Sequence, residues 1–285
     1  MSSRARPVFA CVALAACTPG VGARELAAPP ALDSYGRAAD PAAQLLDVPA
    51  GTYLLGDPRG TPDEQPREVT VAAFRLMRTE VTVAQFAAFV AATHHVTDPE
   101  REGHGHVWRR HDGRRWAWRI VDGVTWRAPA RDRDHAVSMV SQRDAIAFCA
   151  HHGLRLPTEE EWEWAARGPD GRRYAWGDAP PESRPPAARG NVGTLRCCAA
   201  SDADGFDRIA PVGRFPGAAG PFGHLDLVGN VWEWTTSRDE RAPGKLVIRG
   251  AGWGNSSWCL RAAYRHSNPP ARGLDMVGFR CASDV

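Results

Sequence analysis

The alternation of hydrophobic and polar positions first predicts strands. Residues 46–56 indicate two short strands around a Pro-Ala-Gly turn. Val69, Thr70 and Val71 alternate as a strand does, and an apolar run continues this segment over residues 74–77. The folded domain is therefore expected to begin near Leu45 and to open with short strands.

Helical periodicity with capping residues predicts three helices further along the chain. Thr82, Ser141 and Thr158 are good N-caps, and Gly153 and Gly168 are suitable stops for the second and third helix. Gln85 and Glu161 stand in the reciprocal capping-box positions of the first and third helix. The inner faces are Phe86, Phe89 and Val90; Ala145, Phe148 and Cys149; and Trp162, Ala165 and Ala166.

Residues 232–234, Trp-Glu-Trp, fit neither an ordinary helix nor an ordinary strand. Strand alternation would bury the Glu233 carboxylate between two indoles, and a buried carboxylate needs a partner. A bound cation is the partner that we expect. Taken alone, the periodicity predicts a mixed α+β domain.

Composition narrows the class of protein. The chain has 285 residues, 43% of them hydrophobic, with a net charge of +2, which is enough for a substantial core and gives no electrostatic case for binding nucleic acid. The 11 Trp, 28 Gly and 23 Pro favour an irregular, loop-rich fold. We find no internal repeat, second domain boundary, phosphate loop or Ser-His-Asp ordering.

The beginning of the chain has the features of a secretion signal. Arg4 and Arg6 form a basic start, and residues 8–16 are an apolar run too short to span a bilayer. Residues 14–17, Leu-Ala-Ala-Cys, resemble a bacterial lipobox, in which Cys17 would become the lipidated N-terminus. The alternative is an ordinary cleaved signal with a chance cysteine.

These features divide the chain into three parts. Residues 1–17 are the signal peptide with its lipobox, residues 18–44 a disordered tether rich in Ala, Pro and Gly, and residues 45–285 the folded domain. Thr18 after the cysteine resembles lipoproteins that are sent to the outer membrane, where the domain would face the periplasm. The expected partners thus include a membrane, through the lipid anchor.

Several motifs of the domain occur in a recognisable order. They are Glu-Val-Thr at 80–82, a capped segment at 153–168, Tyr-Ala-Trp-Gly-Asp at 174–178, and three glycine-rich motifs at 229–234, 249–253 and 278–282. In this combination the domain resembles the formylglycine-generating enzyme family, also called the sulfatase-modifying factors. The resemblance implies a variant of the C-type lectin-like fold, with short helices, a small antiparallel sheet and many ordered loops.

The resemblance also implies two structural calcium sites. Turn-forming residues beside oxygen side chains allow backbone carbonyls to converge on a hard cation. The first site would be Asn191, Val192, Asp204 and Phe206; the second would be Asp226, Gly229, Val231 and Glu233. The alternative for each is an acidic turn with ordered water. Such sites would be structural, because hard oxygen cages do not supply redox chemistry.

Cysteines carry further information, because export would place them in an oxidising compartment. Of the 7 cysteines, Cys149 and Cys281 match a structural disulfide of some family members. Cys197 and Cys198 are adjacent and cannot readily pair with each other, so one of them can pair with Cys259 and leave an odd thiol.

Active members of the family bind copper(I) through two thiols, and soft thiolates suit that ion. The first thiol lies two residues beyond the aromatic of a Gly-Gly-Ser-aromatic motif, and the second follows five residues later. Here the motif reads Gly-Ala-Gly-Trp at 250–253, the first position is Asn255, and Cys259 is one residue short of the second. Copper is therefore not expected. The candidate pocket consists of Trp253, Asn255, Cys259 and Arg261.

An insertion rich in histidine and tryptophan precedes the second helix. It contains His94, His95, His104, His106, His111, Trp108, Trp116 and Trp118. We expect a solvated, arginine-rich loop. A transition-metal site built on His-Gly-His is the alternative, but the stretch lacks a cysteine partner and a helical i, i+4 pair of histidines.

Three functions agree with these residues. The first is a divergent maturation or oxidation factor of the cell envelope that acts on a small molecule or another substrate. The second is a non-catalytic module that binds peptide or glycan, since a fold does not specify a reaction. The third is a formylglycine-generating oxidase that acts on a sulfatase cysteine through an altered thiol site.

Overall fold

The computed structural model describes residues 40–111, 115–127, 132–185, 188–195 and 198–285. The predicted signal peptide with Cys17, most of the predicted tether, and Cys197 lie outside these ranges. The helices are α1 (Val83–Thr93), α2 (Asp98–Glu102), α3 (Gln142–His151) and α4 (Glu159–Arg167). The strands are β1 (Leu45–Val48), β2 (Gly51–Leu55), β3 (Arg67–Val71), β4 (Phe74–Met77), β5 (His104–His111), β6 (Arg115–Asp122), β7 (Trp232–Arg238), β8 (Leu246–Arg249), β9 (Arg265–Asn268), β10 (Val277–Gly278) and β11 (Ala282–Asp284).

The three predicted helices are confirmed, and each begins where its capping residue predicts. The Thr82 hydroxyl accepts from the backbone N–H of Gln85, whose side chain accepts from Thr82 N in return. The same reciprocal pair joins Thr158 to Glu161 at α4 and Ser141 to an aspartate at α3. Local side-chain chemistry therefore sets where these helices start.

The strands form four small sheets. Their orders are β1-β4-β11, β10-β7-β8-β9, β2-β3 and β5-β6. All recorded strand pairs are antiparallel except β10 with β7. Because β11 pairs with β4, the end of the domain closes against its beginning. No helix in the described ranges combines the length and apolar character needed to cross a membrane.

Residues 232–234 lie in β7, an ordinary strand, so our expectation that Trp-Glu-Trp could not form one is wrong. The cause is a partner distant in sequence: the guanidinium of Arg280 donates to both carboxylate oxygens of Glu233, at 2.7 Å each. Both side chains are fully buried. The indole N–H of Trp162 adds a third hydrogen bond at 2.8 Å, so the strand can bury a charge that is paired.

The core lies between α1, α3 and the last strands. Phe148 of α3 contacts Phe86 of α1 at 5.9 Å between ring centroids and Phe279 at 5.3 Å. Next to it the predicted disulfide between Cys149 and Cys281 is confirmed, and it joins positions 132 residues apart. The middle of the chain is therefore fastened covalently to its closing segment.

Two expectations about the less regular parts of the chain are corrected. The insertion predicted as a loop contains α2 and a hairpin of two eight-residue strands, β5 and β6, whose alternation was obscured by arginines. Pro41–Gln44, predicted as the end of the tether, form a 3-10 turn with a buried Gln44 side chain. Residues 41–44 therefore belong to the folded domain.

Candidate functional site

The loop after β8 carries Asn255, the position at which the resemblance predicts the first thiol of active members. Positive φ angles of 100° at Gly250 and 63° at Ala251 turn the chain sharply back towards β7. The Asn255 side-chain oxygen then accepts two hydrogen bonds of 2.9 Å, from Gly252 N and from the indole N–H of Trp232. An amide oxygen engaged in this way fixes the loop and offers no soft ligand.

Cys259 lies in the next turn, the 3-10 segment Ser257–Leu260. It forms no disulfide, so the predicted pairing of Cys259 with one of the two adjacent cysteines is wrong. Its side chain is 7% exposed, and burial raises the pKa of the thiol, while hydrogen bonds from Tyr264 and Ser256 offset part of this effect. Tyr264 in turn packs against Trp232 at 5.9 Å between ring centroids. Cys259 is therefore a protonated thiol at neutral pH, in an aromatic surrounding.

We expect Cys259 to react slowly with iodoacetamide in the folded protein. A raised pKa keeps the thiolate fraction below that of an ordinary cysteine at pH 8, and the rate should still be rising with pH above the usual thiol range. Peptide mapping after timed alkylation at several pH values measures this rate. Modification at the rate of the urea-unfolded protein would contradict the assignment.

Trp253 and Arg261 differ from what was expected of pocket-lining residues. Trp253 is 1% exposed and Arg261 is 2% exposed. The Arg261 guanidinium binds both carboxylate oxygens of Glu64, at 2.5 and 2.8 Å, and lies 4.1 Å from the ring of Trp258. These two residues support the loop from inside. Cys259 is buried as well, so only Asn255 of the four predicted pocket residues is partly exposed.

A cavity of about 890 Å³ is lined by residues of α4, β7, β8 and β9. Glu159, Glu163, Ser237, Arg249 and Arg265 are among its lining residues, and none of the four predicted pocket residues belongs to them. Most of its charges are already paired: Arg265 binds Glu159 and Arg249 binds Glu163. We therefore place the candidate site at Asn255 and Cys259, where the family motif lies, rather than in this cavity.

The structure brings the four residues of the first predicted calcium site together. Asp204 accepts from Val192 N and Phe206 N at 3.0 Å each, and burial raises the pKa of its carboxyl. The amide nitrogen of Asn191 donates to Asn230 at 2.9 Å, but its side-chain oxygen is buried and has no hydrogen-bond partner. A buried acceptor without a donor beside a carboxylate fits a hard cation.

The second predicted site is a buried cluster of like charges. Asp226, at φ 57°, accepts from Gly213 N at 2.5 Å, and Glu233 is bound to Arg280 as described. A third carboxylate, Glu80, is fully buried with one oxygen unpartnered. Burial first, and then the charge of Asp226, raises the pKa of Glu80 well above its usual range. One guanidinium thus faces three carboxylates.

Glu233 is paired with Arg280, so an unpartnered carboxylate is no longer a reason to expect a cation there. The burial that raises the pKa of Glu80 and Asp226 supplies another reason, because a bound cation would favour the ionised form of both carboxyls. Within the described ranges no three His, Cys, Asp or Glu side chains form a metal-binding group by themselves, so a cation would also need carbonyl or amide oxygens. Both calcium sites stay predictions. Sequence reasoning missed Glu80 and Arg280, although both lie in family motifs, Glu-Val-Thr and the closing glycine-rich motif.

Comparison with known proteins agrees with these motifs. The sulfatase-modifying factor enzyme 1-like domain matches residues 33–285. The chain is 41% identical over 298 residues to the formylglycine-generating enzyme of Mycobacterium tuberculosis, covering 85% of this chain and 98% of that one. It is 37% identical over 278 residues to the inactive C-alpha-formylglycine-generating enzyme 2 of Mus musculus, covering 88% of each.

A solved structure shows the same fold. PvdO from Pseudomonas aeruginosa superposes with a TM-score of 0.63 at 23% identity, covering 85% of this chain and 94% of that one. The short helices, small sheets and ordered loops described above are those of the C-type lectin-like variant. On its motifs, its fold and its relatives, this chain belongs to the formylglycine-generating enzyme family, the sulfatase-modifying factors.

Proposed function

We propose that this protein is a divergent, membrane-tethered factor of the cell envelope that binds a polypeptide target without copper-dependent thiol oxidation. The observation that carries the proposal is Asn255, whose oxygen is held by Gly252 and Trp232 at the position of the first thiol. A neutral amide cannot replace a thiolate as a ligand of copper(I). Binding of a target does not require that ligand.

Cys259 supports the same proposal. It is one residue short of the second thiol position, largely buried, and its raised pKa keeps it protonated. The thiolate rather than the thiol binds metals and attacks electrophiles. Similarity to relatives does not decide whether this chain is catalytic, since one relative is a formylglycine-generating enzyme and another is an inactive form.

The test is turnover of a sulfatase-derived peptide containing cysteine, with copper supplied. We expect no oxygen consumption and no aldehyde product by mass spectrometry. A matched variant combines Asn255→Cys with one residue inserted before Cys259, which restores the five-residue spacing of the thiols. This variant should bind copper(I) more tightly than the unmodified protein. Aldehyde formation by the unmodified protein would refute the proposal.

A formylglycine-generating oxidase with an altered thiol site is the second candidate. One observation favours it: after burial, Cys259 and also Cys198 contribute to the raised pKa of Tyr264, so two thiols lie near one phenol. If this pair carried out the reaction, Cys198→Ser and Cys259→Ser would each abolish aldehyde formation. Activity that survives either substitution would exclude this pair.

We also propose that calcium is bound at both predicted sites and stabilises the fold. The unpartnered Asn191 oxygen and the three buried carboxylates Glu80, Asp226 and Glu233 support this proposal. Asn191, Val192, Asp204 and Phe206 would hold one ion, and Asp226, Gly229, Val231 and Glu233 the other. The ions would supply positive charge to buried oxygens and take no part in a redox step.

Removal of calcium with a chelator should lower the melting temperature. At a hundredfold excess over Kd, one ion contributes about 2.7 kcal/mol, which is on the order of 5–10 °C for a domain of this size. Asp204→Asn should lose most of the response at the first site, whereas Asp207→Asn, an exposed neighbour, should keep it. Equal melting temperatures with and without calcium would contradict both sites.

Location in the cell envelope rests on the sequence of residues 1–17. We propose that the chain is exported, cleaved before Cys17 and lipidated there, and that it faces the periplasm from the outer membrane. Mass spectrometry of the mature N-terminus tests this directly. A lipid mass on Cys17 is expected, and an unmodified N-terminus beyond it would refute the anchor.

A further inference from the structure

The hairpin of β5 and β6 leaves one long strand edge open. The inner strand β5 is tied to the domain by His106, which donates from its N to Gly273 O at 2.9 Å and accepts from Asp275 N at 3.0 Å. Along β6, by contrast, no recorded backbone hydrogen bond joins residues 115–122 to any described segment other than β5. Alternate N–H and C=O groups of β6 therefore point outward, away from β5.

The two faces of β6 carry different side chains. Trp116, Trp118 and Ile120 project from one face, where Trp118 is 37% exposed and Ile120 is 62% exposed. Arg115 and Arg119 project from the other face, because successive residues of a strand alternate. A second chain pairing with this edge would meet an apolar row on one side and a basic row on the other.

The described strands of the hairpin carry four arginines and one carboxylate, Asp122. Arg109, Arg110, Arg115 and Arg119 make no recorded ion pair with a carboxylate among the described residues. Arg110 instead lies 5.9 Å from the centroid of Trp116. Tryptophan and arginine are the residues most often found at the energetic centres of protein interfaces. The complementary partner is an extended chain rich in carboxylates.

The hairpin contacts the loop that carries the candidate site. Trp116 packs edge to face against Trp253, at 6.4 Å between ring centroids, and Trp253 lies two residues before Asn255. The indole N–H of Trp108, across the hairpin, donates to Cys198 O at 3.2 Å. The hairpin that carries β6 therefore packs against the segments that contain Trp253 and Cys198.

We propose that β6 binds an acidic peptide segment as an added strand. The peptide backbone would take up the outward N–H and C=O groups of residues 115–122, and its carboxylates would face Arg115 and Arg119. This proposal deepens the proposed function, because it names the chemistry of the polypeptide target. Charges on an edge strand ordinarily prevent it from pairing with another chain. In this proposal the arginines instead select an acidic partner.

The probe is a fluorescein-labelled peptide of ten residues that alternates glutamate with valine or threonine. We expect saturable binding by fluorescence anisotropy, and slower hydrogen exchange of the amides of residues 115–122 but not of residues 104–111. A peptide with proline at every second position keeps the charge and removes backbone donors, so it should bind about tenfold more weakly. A lysine-for-glutamate peptide should not bind.

Matched charge reversals locate the contact. Arg115→Glu with Arg119→Glu, on the edge strand, should weaken binding by about tenfold or more, whereas Arg109→Glu with Arg110→Glu, on the inner strand, should have a smaller effect. Circular dichroism and the melting temperature check that each variant is folded. The proposal is overturned by no binding, by equal binding of the proline peptide, or by polygalacturonate protecting the same amides more strongly.

Different results would refute the β6 proposal and the proposed function. Aldehyde formation would refute the proposal of a copper-independent binding role even if the acidic peptide binds to β6. Conversely, absence of peptide binding would remove the role of β6 and leave the conclusion drawn from Asn255 and Cys259 intact.

Discussion

Replacing Arg280 with methionine should lower the free energy of unfolding by about 3–5 kcal/mol. The guanidinium is fully buried and bonded to Glu233, and it also donates to the backbone oxygens of Met77 and Leu225. Methionine fills much of the same volume but carries no charge. With calcium removed by a chelator, Glu233 would be left as a buried carboxylate without a cationic partner, next to Asp226 and Glu80.

Thermal and urea unfolding at neutral pH measure this effect, and a loss of this size corresponds to on the order of 10 °C in melting temperature. The matched control is Arg67→Met, which removes an arginine bonded at 2.6 Å to Glu160 but with 53% of its side chain exposed. An exposed pair contributes about 1 kcal/mol or less. Equal losses in the two variants would show that Arg280 is not the charge that stabilises the cluster.

Removing the disulfide should have an effect of similar size. Cys149 and Cys281 are 132 residues apart in sequence, and the chain-entropy model assigns about 5 kcal/mol to the closure of so long a loop. Both cysteines are fully buried, so the double variant Cys149→Ala/Cys281→Ala also loses some packing.

Urea midpoints of the double variant and of the parent protein test this prediction, and Cys259→Ala is the control because it leaves the disulfide in place. The control should lose about 1–2 kcal/mol at most, the effect expected for truncating one small buried side chain. If reduction or substitution of the disulfide changed the midpoint no more than the control, the link between α3 and the closing segment would be dispensable.

Local interactions explain which elements could be predicted from the sequence. The caps Thr82 and Thr158 bind groups only three residues away, so the starts of α1 and α4 are encoded in a short window. The β5-β6 hairpin is equally local, but its strands carry arginines and a glycine where a half-buried strand has a clean alternation. The sequence pattern therefore predicts a loop where the structure has a hairpin.

The partners of buried charges could not be predicted in the same way. Glu233 meets Arg280 across 47 residues, and Arg261 meets Glu64 across 197. A charged residue seen in sequence alone suggests exposure, which is why Arg261 was assigned to a pocket although it supports the loop from within. The lack of the first thiol, by contrast, can be seen from the sequence alone, because position 255 is an asparagine.

The two predicted calcium sites can be inferred only in part from the sequence. The motif positions identified oxygen-bearing turns, and the fold places Asp204 beside Val192 and Phe206. The contribution of Glu80 to the second cluster depends on contacts such as its hydrogen bond from Asn230, 150 residues away, which no local pattern contains. The motif positions thus predict where a cation would bind. The buried carboxyls that would favour a cation there are brought together only by the fold.

The affinity of the purified protein for copper(I) tests the central claim most directly. It is measured without oxygen, by competition with a chromophoric chelator, for the unmodified protein and for Cys259→Ala. We predict that neither competes and that the two titrations coincide. Tight uptake of one copper(I) ion per chain, lost in Cys259→Ala, would contradict the claim that this domain has the family fold but lacks the thiolate ligands of active members.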